Sequence, residues 1–422
     1  MEAKSYIMLD INFIRENINT VKKAAKDKGY AVDIDGLIKM DDKRRELIQK
    51  VEDLRTEQNK LTKGLKGKPD VDIIKKTKVI KQKLEKLEPE MTKVEKQFND
   101  LILFVPNIPS KDTPIGKDEG GNKEIKKWGK IPKFAFPIKD HVELGEKNNL
   151  LDIERGVKIG GTRSYILKNE LVILEQAVLR YALDKIRREG YEVMNVPVIV
   201  KEESLINSGF FPHGKKDIYH LEGDKYLVGT SEASLVSYYS GETLQENDLP
   251  KLLGAITPCF RKEVGTYGKD TKGVFRVHQF NKVEQVVICR PEEGEKTFNF
   301  ILNIAEQFVR DFKLPYRLVE ISTGDMGPKN HRQIDIEVWF PAQGKYRETH
   351  SCSWLTDYQA RRANIKYRTN EGKKFNAHTL NCTVVPTPRF LAAILENYQQ
   401  KDGSIKVPKV LQSYMGMDII KS

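Results

Sequence analysis

Two long stripes of apolar residues, joined by a segment rich in glycine and proline, dominate the first hundred residues. Within each stripe the apolar positions recur at alternating intervals of three and four on an otherwise charged sequence, which is typical of a heptad seam. The segment between them, TKGLKGKPD (Thr62 to Asp70), would reverse the chain. The sequence therefore predicts an antiparallel coiled-coil hairpin about 40 Å long, at ~1.5 Å per residue. Its seams are Leu37, Met40, Arg44, Leu47, Val51, Leu54, Gln58 and Leu61, and Ile73, Thr77, Ile80, Leu84, Leu87, Met91, Val94, Phe98 and Leu101.

Pro89 lies inside the second stripe. A proline in a helix interior costs about 3 kcal/mol, because it lacks an N–H group and its ring crowds the preceding turn. We therefore expect a kink or a break at this position.

The end of the hairpin that carries the turn is basic. Between Arg55 and Lys81 there are nine basic and three acidic residues. One interpretation is a projecting arm that binds a phosphate backbone; the other is a solvated coiled coil that serves only as a spacer or a dimerisation element. The basic residues are Arg55, Lys60, Lys63, Lys66, Lys68, Lys75, Lys76, Lys78 and Lys81, and the acidic ones are Glu57, Asp70 and Asp72.

After Phe104 the helical periodicity stops, and a stretch rich in Pro, Gly and Lys follows. Beyond it, helical patterns near 171–188 and 296–311 alternate irregularly with short strand patterns such as 191–200, 225–230 and 332–340. Because most of these strands are not separated by crossover helices, the second half is predicted to be an antiparallel α+β domain. The domain prediction is a helical domain over 1–104, a linker over 105–134 and a catalytic domain over 135–422.

Composition narrows the class of protein. The formal charge of +12 favours polyanionic partners such as RNA. No run of about 18 apolar residues occurs, so no membrane span is expected. The first ten residues contain Glu2 and Asp10 and lack signal-peptide and transit-peptide features, which predicts a cytoplasmic location. The four cysteines form no C-x-x-C pair, so we expect free thiols and no zinc site.

A charged hairpin is predicted over Cys259–Gln285. Side chains alternate along a strand, so Arg261 and Glu263 would share one face, as would the residues at every second position from Arg276 to Glu284. Guanidinium groups suit phosphate, an aromatic ring suits stacking and carboxylates suit an ammonium group. The alternative is a surface hairpin held by cross-strand ion pairs. The second face-sharing set is Arg276, His278, Phe280, Lys282 and Glu284, with Val277 and Val283 opposite.

Three other segments carry similar chemistry. Gly229–Glu232 supplies hydroxyls and a carboxylate, although it could be a helix N-cap. Glu348 and Ser351 could ligate Mg²⁺, although a single carboxylate is often a surface residue. Arg389 stands near the start of a predicted helix and could bind phosphate or simply be a surface cation. The motifs of P-loop, Rossmann, zincin and α/β-hydrolase sites are absent from the sequence.

Taken together, these segments resemble the seryl-tRNA synthetases, a family of class II aminoacyl-tRNA synthetases, over essentially the whole chain. FRKE with FRVHQFNKVE resembles motif 2, GYEVMNVP resembles motif 1 as far as Pro197, and TLN through PRFLAAILENYQ resembles motif 3. TDYQARR is a hallmark of the seryl family. The resemblance implies an α+β fold with a coiled-coil hairpin, followed by a class II catalytic domain on an antiparallel sheet flanked by helices.

The resemblance also implies roles for individual residues. Arg261 and Arg389 would be catalytic, and Glu348 and Ser351 would ligate Mg²⁺. The ATP-binding set would be Arg261, Glu263, Val277, Phe280, Glu348, Thr349, His350, Ser351 and Arg389. The serine-binding set would be Thr230, Ser231, Glu232, Arg261, Glu284, Asn381 and Thr383.

The implied reaction is ATP-dependent formation of seryl-adenylate and transfer of the seryl group to tRNA(Ser), and to tRNA(Sec) where present. The implied partners are tRNA(Ser), through the basic arm and the loop Gly265–Gly273, and a second copy of the chain, through the region near Pro197.

The sequence departs from the commonest family pattern at TSE, at ETHS, at Trp354 and at NCTVVPTPR, which puts the pocket's shape near His350 and Trp354 in question. Two rival functions are a catalytically inactive paralogue that only binds RNA and a ligase acting on a carrier protein.

Overall fold

The chain forms two compact units. The computed structural model describes residues 9–63, 70–264 and 273–421 of the 422-residue chain. One unit contains the residues up to Lys26 together with Tyr30–Pro106, and the other contains Asp27–Gly29 together with Asn107–Ser422. The first unit is helical throughout its described elements and the second is built on a large sheet, which confirms the predicted α+β class.

The first unit contains the predicted hairpin. Its long helices are antiparallel, because Arg44 stacks on the ring of Phe98 whereas Arg55, further along the chain, pairs with Glu88, at a smaller residue number. Leu37, Leu47 and Val51 are buried, as are Ile80, Leu84, Val94 and Phe98, so the predicted seams form the contact. The helices are α1 (Ile11–Glu16), α2 (Ile18–Asp27), α3 (Ile34–Thr62) and α4 (Val71–Ile102).

Two details of the hairpin differ from the prediction. Helix α4 runs without a break through Pro89, because the flanking turns are held by seam residues on both sides. At its end Leu101 is 42% exposed and Ile102 is fully buried, so the seam takes a final step of four instead of three. Most of the predicted turn, residues 64–69, lies outside the described residues.

The second unit is organised by an eight-stranded sheet with the order β1-β11-β12-β13-β16-β10-β9-β4. All its neighbouring pairs are antiparallel except β4 with β9. The strands of the chain are β1 (Lys123–Trp128), β2 (Leu151–Asp152), β3 (Ile166–Leu167), β4 (Glu192–Met194), β5 (Ile199–Lys201), β6 (His220–Leu221), β7 (Lys225–Leu227), β8 (Thr243–Gln245), β9 (Lys251–Phe260), β10 (Gln279–Cys289), β11 (Tyr316–Glu320), β12 (Arg332–Phe340), β13 (Lys345–Trp354), β14 (Lys366–Arg368), β15 (Lys374–Asn376), β16 (His378–Pro386), β17 (Ile405–Lys406) and β18 (Ile419–Ile420).

Helices cover the sheet, and the two sides of the sheet differ. On one side, Cys352, Cys382 and Val384 point into a core that α7, α10 and α12 share with the strands. On the other side, residues at alternate positions of β10, β13 and β16 line a cavity. The helices of this unit are α5 (His141–Lys147), α6 (Ile153–Gly160), α7 (Glu170–Arg188), α8 (Glu202–Asn207), α9 (Glu232–Tyr238), α10 (Gly294–Asp311), α11 (Tyr358–Ala363), α12 (Thr387–Tyr398) and α13 (Gln412–Met415).

Several strand predictions need correction. The strand over Arg332–Phe340 is confirmed as β12, but the one predicted over 191–200 is two short strands, β4 and β5. The segment 105–134, expected to be a linker, contains β1, which pairs with β11 at one end of the large sheet. Its residues alternate too weakly between polar and apolar to be recognised as a strand.

The charged hairpin is shorter than predicted. Strand β9 ends at Phe260 and β10 begins at Gln279, so Arg261, Glu263, Arg276 and His278 lie outside the strands. Glu263 has a φ of 51°, which an extended strand cannot contain. The shared face therefore holds only for Phe280, Lys282 and Glu284, and residues 265–272 lie outside the described residues.

The cysteines and the helices bear on two expectations drawn from composition. The four cysteines, Cys259, Cys289, Cys352 and Cys382, are free and buried, as expected. Among the helices in the described parts of the chain, none is both long enough and apolar enough to cross a membrane.

Candidate active site

A cavity of about 450 Å³ lies on the side of the sheet opposite the core that α7, α10 and α12 share with the strands. Strands β10, β13 and β16 supply its floor, and the segments before α9 and at the start of α12 supply part of its walls. The structure brings together most of the site residues that the sequence indicated. Those lining the cavity are Thr230, Glu232, Arg261, Glu263, Val277, Phe280, Glu348, Thr349, Ser351, Asn381, Thr383 and Arg389.

Ser231, Glu284 and His350 were also predicted site residues, but they do not line the cavity. Ser231 is buried at the N-cap of α9. Glu284 lies directly beneath the floor, where its carboxylate accepts hydrogen bonds from Nδ2 of Asn381 (3.1 Å) and Oγ1 of Thr383 (3.3 Å). It also pairs with Lys282, so a ligand would meet Glu284 through these neighbours.

His350 projects away from the cavity. Its ring packs near Phe308 and Phe390, and its Nε2 lies 2.9 Å from the carbonyl oxygen of Val384. Burial lowers the pKa of His350 to about 4, so the ring is neutral at pH 7. The structure therefore does not bring this side chain to a bound nucleotide, and its bulk does not narrow the cavity.

Trp354 also lies away from the cavity. Its ring packs between His331 and His378, with centroid distances of 5.0 and 6.0 Å. The ring also lies against Gly294, where a Cβ would come within 2.3 Å of it. Both bulky departures from the family pattern are thus accommodated behind or beside the site.

A β-bulge brings Glu348 into the cavity. Glu348 and Ser351 are three residues apart, so regular alternation would place them on opposite faces of β13. In the pairing with β12, Glu348 stands opposite Glu337 and His350 stands opposite Ile336, which leaves Thr349 as an extra residue. The bulge changes the alternation by one residue, and Glu348, Thr349, Ser351 and Ser353 all line the cavity.

One end of the cavity is cationic. Nη1 of Arg389 lies 3.1 Å from Oε2 of Glu348, and Nε of Arg389 donates to the carbonyl oxygen of Phe275 at 2.9 Å. Desolvation within the cavity raises the pKa of Glu348, but Arg389, together with Arg261 and Arg276, outweighs it, so the net pKa lies below its ordinary value. Glu348 is therefore an anion that is held next to a fixed guanidinium.

Arg261 occupies the middle of the cavity. Its Nε donates to the carbonyl oxygen of Gly229 at 3.2 Å, and its guanidinium carbon lies 5.2 Å from the centre of the Phe280 ring. Nearby, Glu263 pairs with Arg276 at 3.0 Å. Arg261 thus combines a fixed backbone contact with a cation–π contact, which holds a planar cation ready for an anionic ligand.

The other end of the cavity contains a paired carboxylate, Glu232. Its Oε1 accepts hydrogen bonds from Nε2 of Gln359 at 2.7 Å and from Nζ of Lys329 at 2.5 Å. The Lys329 ammonium also lies 3.9 Å from the centre of the Phe210 ring. This end therefore holds a carboxylate that an amide and a lysine orient in the cavity.

Sequence reasoning missed part of the lining. Phe210, Phe275, Lys329, Asn330, Gln333 and Ser353 contact the cavity. Ser353 could have been found by extending the alternation of β13 beyond Ser351. Gln359, which bonds to Glu232, lies within the TDYQARR segment. The remaining residues lie on loops or in segments far apart in the sequence, where no local pattern marks them.

The donor set near Glu348 fits a hard divalent cation. Ser351 stands opposite Asp335 in the β12–β13 pairing. Burial and the neighbouring Glu348 raise the pKa of Asp335, so two carboxyl groups are crowded together. Two carboxyl groups and a hydroxyl suit Mg²⁺ completed by phosphate oxygens and water. Across 9–63, 70–264 and 273–421, no group of three or more His, Cys, Asp or Glu is arranged to hold a metal alone.

Comparisons with known proteins match segments of both units of the chain. Residues 8–109 match the model of the seryl-tRNA synthetase N-terminal domain, and residues 218–398 match that of the class II core domain of synthetases for G, H, P, S and T. The serine–tRNA ligase of Deinococcus radiodurans is 43% identical over 97% of this chain and 98% of its own.

Solved structures of similar fold cover nearly the whole chain. The seryl-tRNA synthetase of Pyrococcus horikoshii complexed with ATP has a TM-score of 0.89 at 38% identity, over 98% of this chain and 99% of its own. The cytoplasmic serine–tRNA ligase of Naegleria fowleri in complex with AMP has a TM-score of 0.86 at 31% identity, over 99% of both chains. With matching family models, architecture and full-length similarity, the chain belongs to the seryl-tRNA synthetase family.

Proposed function

We propose that this enzyme activates L-serine with ATP in the described cavity and transfers the seryl group to tRNA(Ser). The observation that carries the assignment of serine is the cluster of Glu284, Asn381 and Thr383. Its hydrogen bonds fix an amide, a hydroxyl and a carboxylate at one place in the floor. Such a cluster favours a ligand hydroxyl, because an apolar side chain would leave buried polar groups unpaired.

ATP would occupy the part of the cavity between Phe280 and Arg389. Phe280 and Val277 offer apolar contact for adenine, Arg261 faces the α-phosphate and Arg389 faces the γ-phosphate. The similar Pyrococcus horikoshii structure is described as complexed with ATP, and that of Naegleria fowleri as complexed with AMP, which supports a nucleotide in this fold. Glu263, held by Arg276, would lie at the adenine end.

Serine would occupy the part between Arg261 and Glu232. Its carboxylate faces Arg261, its ammonium group faces Glu232 and Thr230, and its hydroxyl faces Asn381, Thr383 and the carboxylate of Glu284 beneath them. Alanine is rejected because it cannot pair with these polar groups. Threonine must be rejected by the lack of space for one methyl group, which is a weaker source of discrimination.

The chemistry then needs little beyond positioning and charge. An oxygen of the serine carboxylate attacks the α-phosphorus, the bond to the bridging oxygen breaks, and pyrophosphate leaves. A terminal ribose hydroxyl of the tRNA then attacks the carbonyl carbon, and AMP leaves. Arg261 and Arg389 hold the reacting phosphates in place and offset the charge that develops. Mg²⁺, held by Glu348 and Ser351, would neutralise phosphate charge when bound.

The arm and the dimer belong to the same proposal. On α4, Lys75, Lys76, Lys78 and Lys81 are exposed within the basic end of the hairpin, where they can contact a phosphate backbone. A second copy of the chain would pair through the region near Pro197. The motif 2 loop, Gly265–Gly273, remains a predicted tRNA contact, and all but its last residue lie outside the described residues. Charging of tRNA(Sec) and the cytoplasmic location also stay predictions.

The deciding experiment is ATP–pyrophosphate exchange measured with each amino acid, followed by charging of tRNA. We expect exchange with serine, at least tenfold weaker exchange with alanine and threonine, and charging of tRNA(Ser). Serine-dependent exchange without charging would favour a ligase for another acceptor, such as a carrier protein. No exchange with any amino acid would favour the inactive RNA-binding paralogue.

A further inference from the structure

Lys329 occupies a position that the proposed reaction does not explain. It lies on the loop between β11 and β12, and its side chain, 14% exposed, ends in the cavity. Its ammonium group lies between the carboxylate of Glu232, at 2.5 Å, and the face of the Phe210 ring, at 3.9 Å. A cation thus already lies against the carboxylate that would receive the ammonium group of serine.

Close packing holds Lys329 in this position. Gly209 has a φ of +74°, and a Cβ there would come within 2.9 Å of the Tyr358 ring and 3.4 Å of the Cβ of Lys329. From the other side, Nδ2 of Asn107 donates to the carbonyl oxygen of Lys329 at 3.0 Å. These contacts fix the backbone and the Cβ of Lys329 beside the cavity.

Charges around Lys329 are balanced without a ligand. Glu232 and Glu284 supply two carboxylates, while Lys282 and Lys329 supply two ammonium groups, and all four side chains are buried or nearly so. Adding the ammonium group of serine would give this end of the cavity an uncompensated positive charge. Inside a protein such repulsion is strong, and the most readily removed charge is the proton of a buried lysine.

We propose that Lys329 is the resident counter-ion of Glu232, and that the ammonium group of serine takes over this role while Lys329 releases one proton to solvent. An N–H bond of the Lys329 ammonium breaks, its proton goes to water, and the neutral amine keeps the lone pair. Serine retains all three protons of its ammonium group. Lys329 thus couples the binding of serine to the release of a proton, and the inference rests on the proposed binding of serine.

The surroundings of Lys329 favour loss of the proton. Burial lowers the pKa of Lys329, while the charges of Glu232 and Glu284 oppose the shift and that of Lys282 adds to it. A second cation on Glu232 would weaken the opposing contribution and lower the pKa further. The adjacent loop also contacts Lys28, whose Nζ donates to the carbonyl oxygens of Pro328 (3.3 Å) and Asn330 (2.5 Å). Burial lowers the pKa of Lys28 to about 7. The experiment must therefore distinguish a proton released by Lys329 from one released by Lys28.

The test is calorimetric titration of the full-length enzyme with L-serine at pH 7.5 in two buffers of different ionisation enthalpy. We expect the wild type to release up to about one proton per serine bound, and its dissociation constant to fall by up to tenfold per pH unit between pH 6.5 and 8.5. In Lys329→Gln the proton release and the pH dependence should disappear, while serine still binds.

Two further variants sharpen the test. Lys329→Arg keeps a charge that cannot be lost, so we expect at least tenfold weaker binding of serine without proton release. Lys28→Met should retain the proton release. Binding without proton release in the wild type, or release that persists in Lys329→Gln, would overturn this inference alone. Failure of serine to bind at all would overturn the proposed function and this inference with it.

Discussion

Arg389 and Glu348 form an ion pair at the end of the cavity: Nη1 of the guanidinium lies 3.1 Å from Oε2 of the carboxylate and 3.0 Å from the backbone oxygen of the same residue. One partner comes from the start of α12 and the other from the bulged strand β13. The proposed phosphate-binding cation and the proposed metal ligand are thus in direct contact before a nucleotide enters. A bound triphosphate and its metal ion would have to contact both residues of this ion pair or break it.

Arg389→Ala should therefore weaken binding of ATP more than binding of serine. Hydrogen bonds to charged groups contribute about 1.5–3 kcal/mol, so we expect the KM for ATP to rise roughly tenfold to a hundredfold. Measurement of both KM values by pyrophosphate exchange checks this. Arg368→Ala, on β14 outside the cavity, is the matched control and should change neither value. Equal rises in both KM values would contradict the assignment.

Arg261→Ala should abolish activation of serine. A preorganised cation facing the reacting phosphate typically accounts for about 10²–10³ in rate, and Arg261 also faces the serine carboxylate. We expect exchange to fall by at least this factor, with the oligomeric state and melting temperature unchanged, because the side chain makes one backbone bond and one ring contact. A variant that still activates serine would refute the assignment of Arg261.

The buried pair of Lys282 and Glu284 predicts a non-additive effect on stability. Their side chains are 7% and 0% exposed, so removal of either partner leaves an uncompensated buried charge, which costs about 3–5 kcal/mol. We expect Lys282→Met and Glu284→Gln each to lower the melting temperature more than the double variant does. If the losses of the two single variants simply add in the double variant, the two residues do not form a stabilising pair.

His378 predicts a loss of stability in mild acid. Burial lowers its pKa to about 4, and Nε1 of Trp354 donates to its Nδ1 at 3.3 Å, which requires an unprotonated acceptor. The unfolded chain, with a histidine pKa near ~6.5, binds the proton more readily than the folded chain. The contribution of His378 to the free energy of unfolding is therefore complete above about pH 6.5 and is lost as the pH falls toward 4. We expect roughly 1–3 kcal/mol from this residue.

His378→Asn should reduce this fall in stability. Melting temperatures at pH 5 and pH 7.5 test the effect, with His220→Asn as the control, because the His220 side chain is 54% exposed. A wild type and a His378→Asn variant that lose stability equally in acid would show that His378 is not responsible.

Replacement of Lys75, Lys76, Lys78 and Lys81 by Glu should weaken charging of tRNA without affecting exchange. These exposed lysines lie on α4 far from its carboxyl end. Each lost phosphate contact reduces the slope of log K for tRNA binding against log salt concentration by about 0.7–0.9. Lys86→Glu and Lys93→Glu, further along the same helix, provide the control. Unchanged KM for tRNA would favour the spacer interpretation of the hairpin.

Periodic patterns predicted the two long helices of the first unit and several strands of the sheet. The seam of α3 and α4 and the full length of β12 follow from one-dimensional spacing, because burial repeats along each element. Residues of the segments that resemble motifs 2 and 3 line one cavity, because the sheet brings together the strand and helix ends that carry them. Phe280 and Arg389 are examples.

Other parts of the site could not be predicted from spacing. Lys329 meets Glu232 across 97 residues of sequence, and no local rule pairs a loop lysine with a helix carboxylate. The resemblance places His350 in the ATP-binding set, but strand alternation directs its ring to the core. Strand β1 pairs through its backbone and leaves five of its six side chains exposed, so no apolar pattern marks it.

The extra residue Thr349 has a consequence for how this gene segment can change over generations. The Thr349 hydroxyl bonds to the carbonyl oxygen of Ile336 and to the His350 ring. Loss of the Thr349 codon would leave Glu348 and Ser351 two residues apart, so ordinary alternation would still place both on the cavity side. A chain without Thr349 should therefore lose the bulge and these two bonds but keep Glu348 in the cavity.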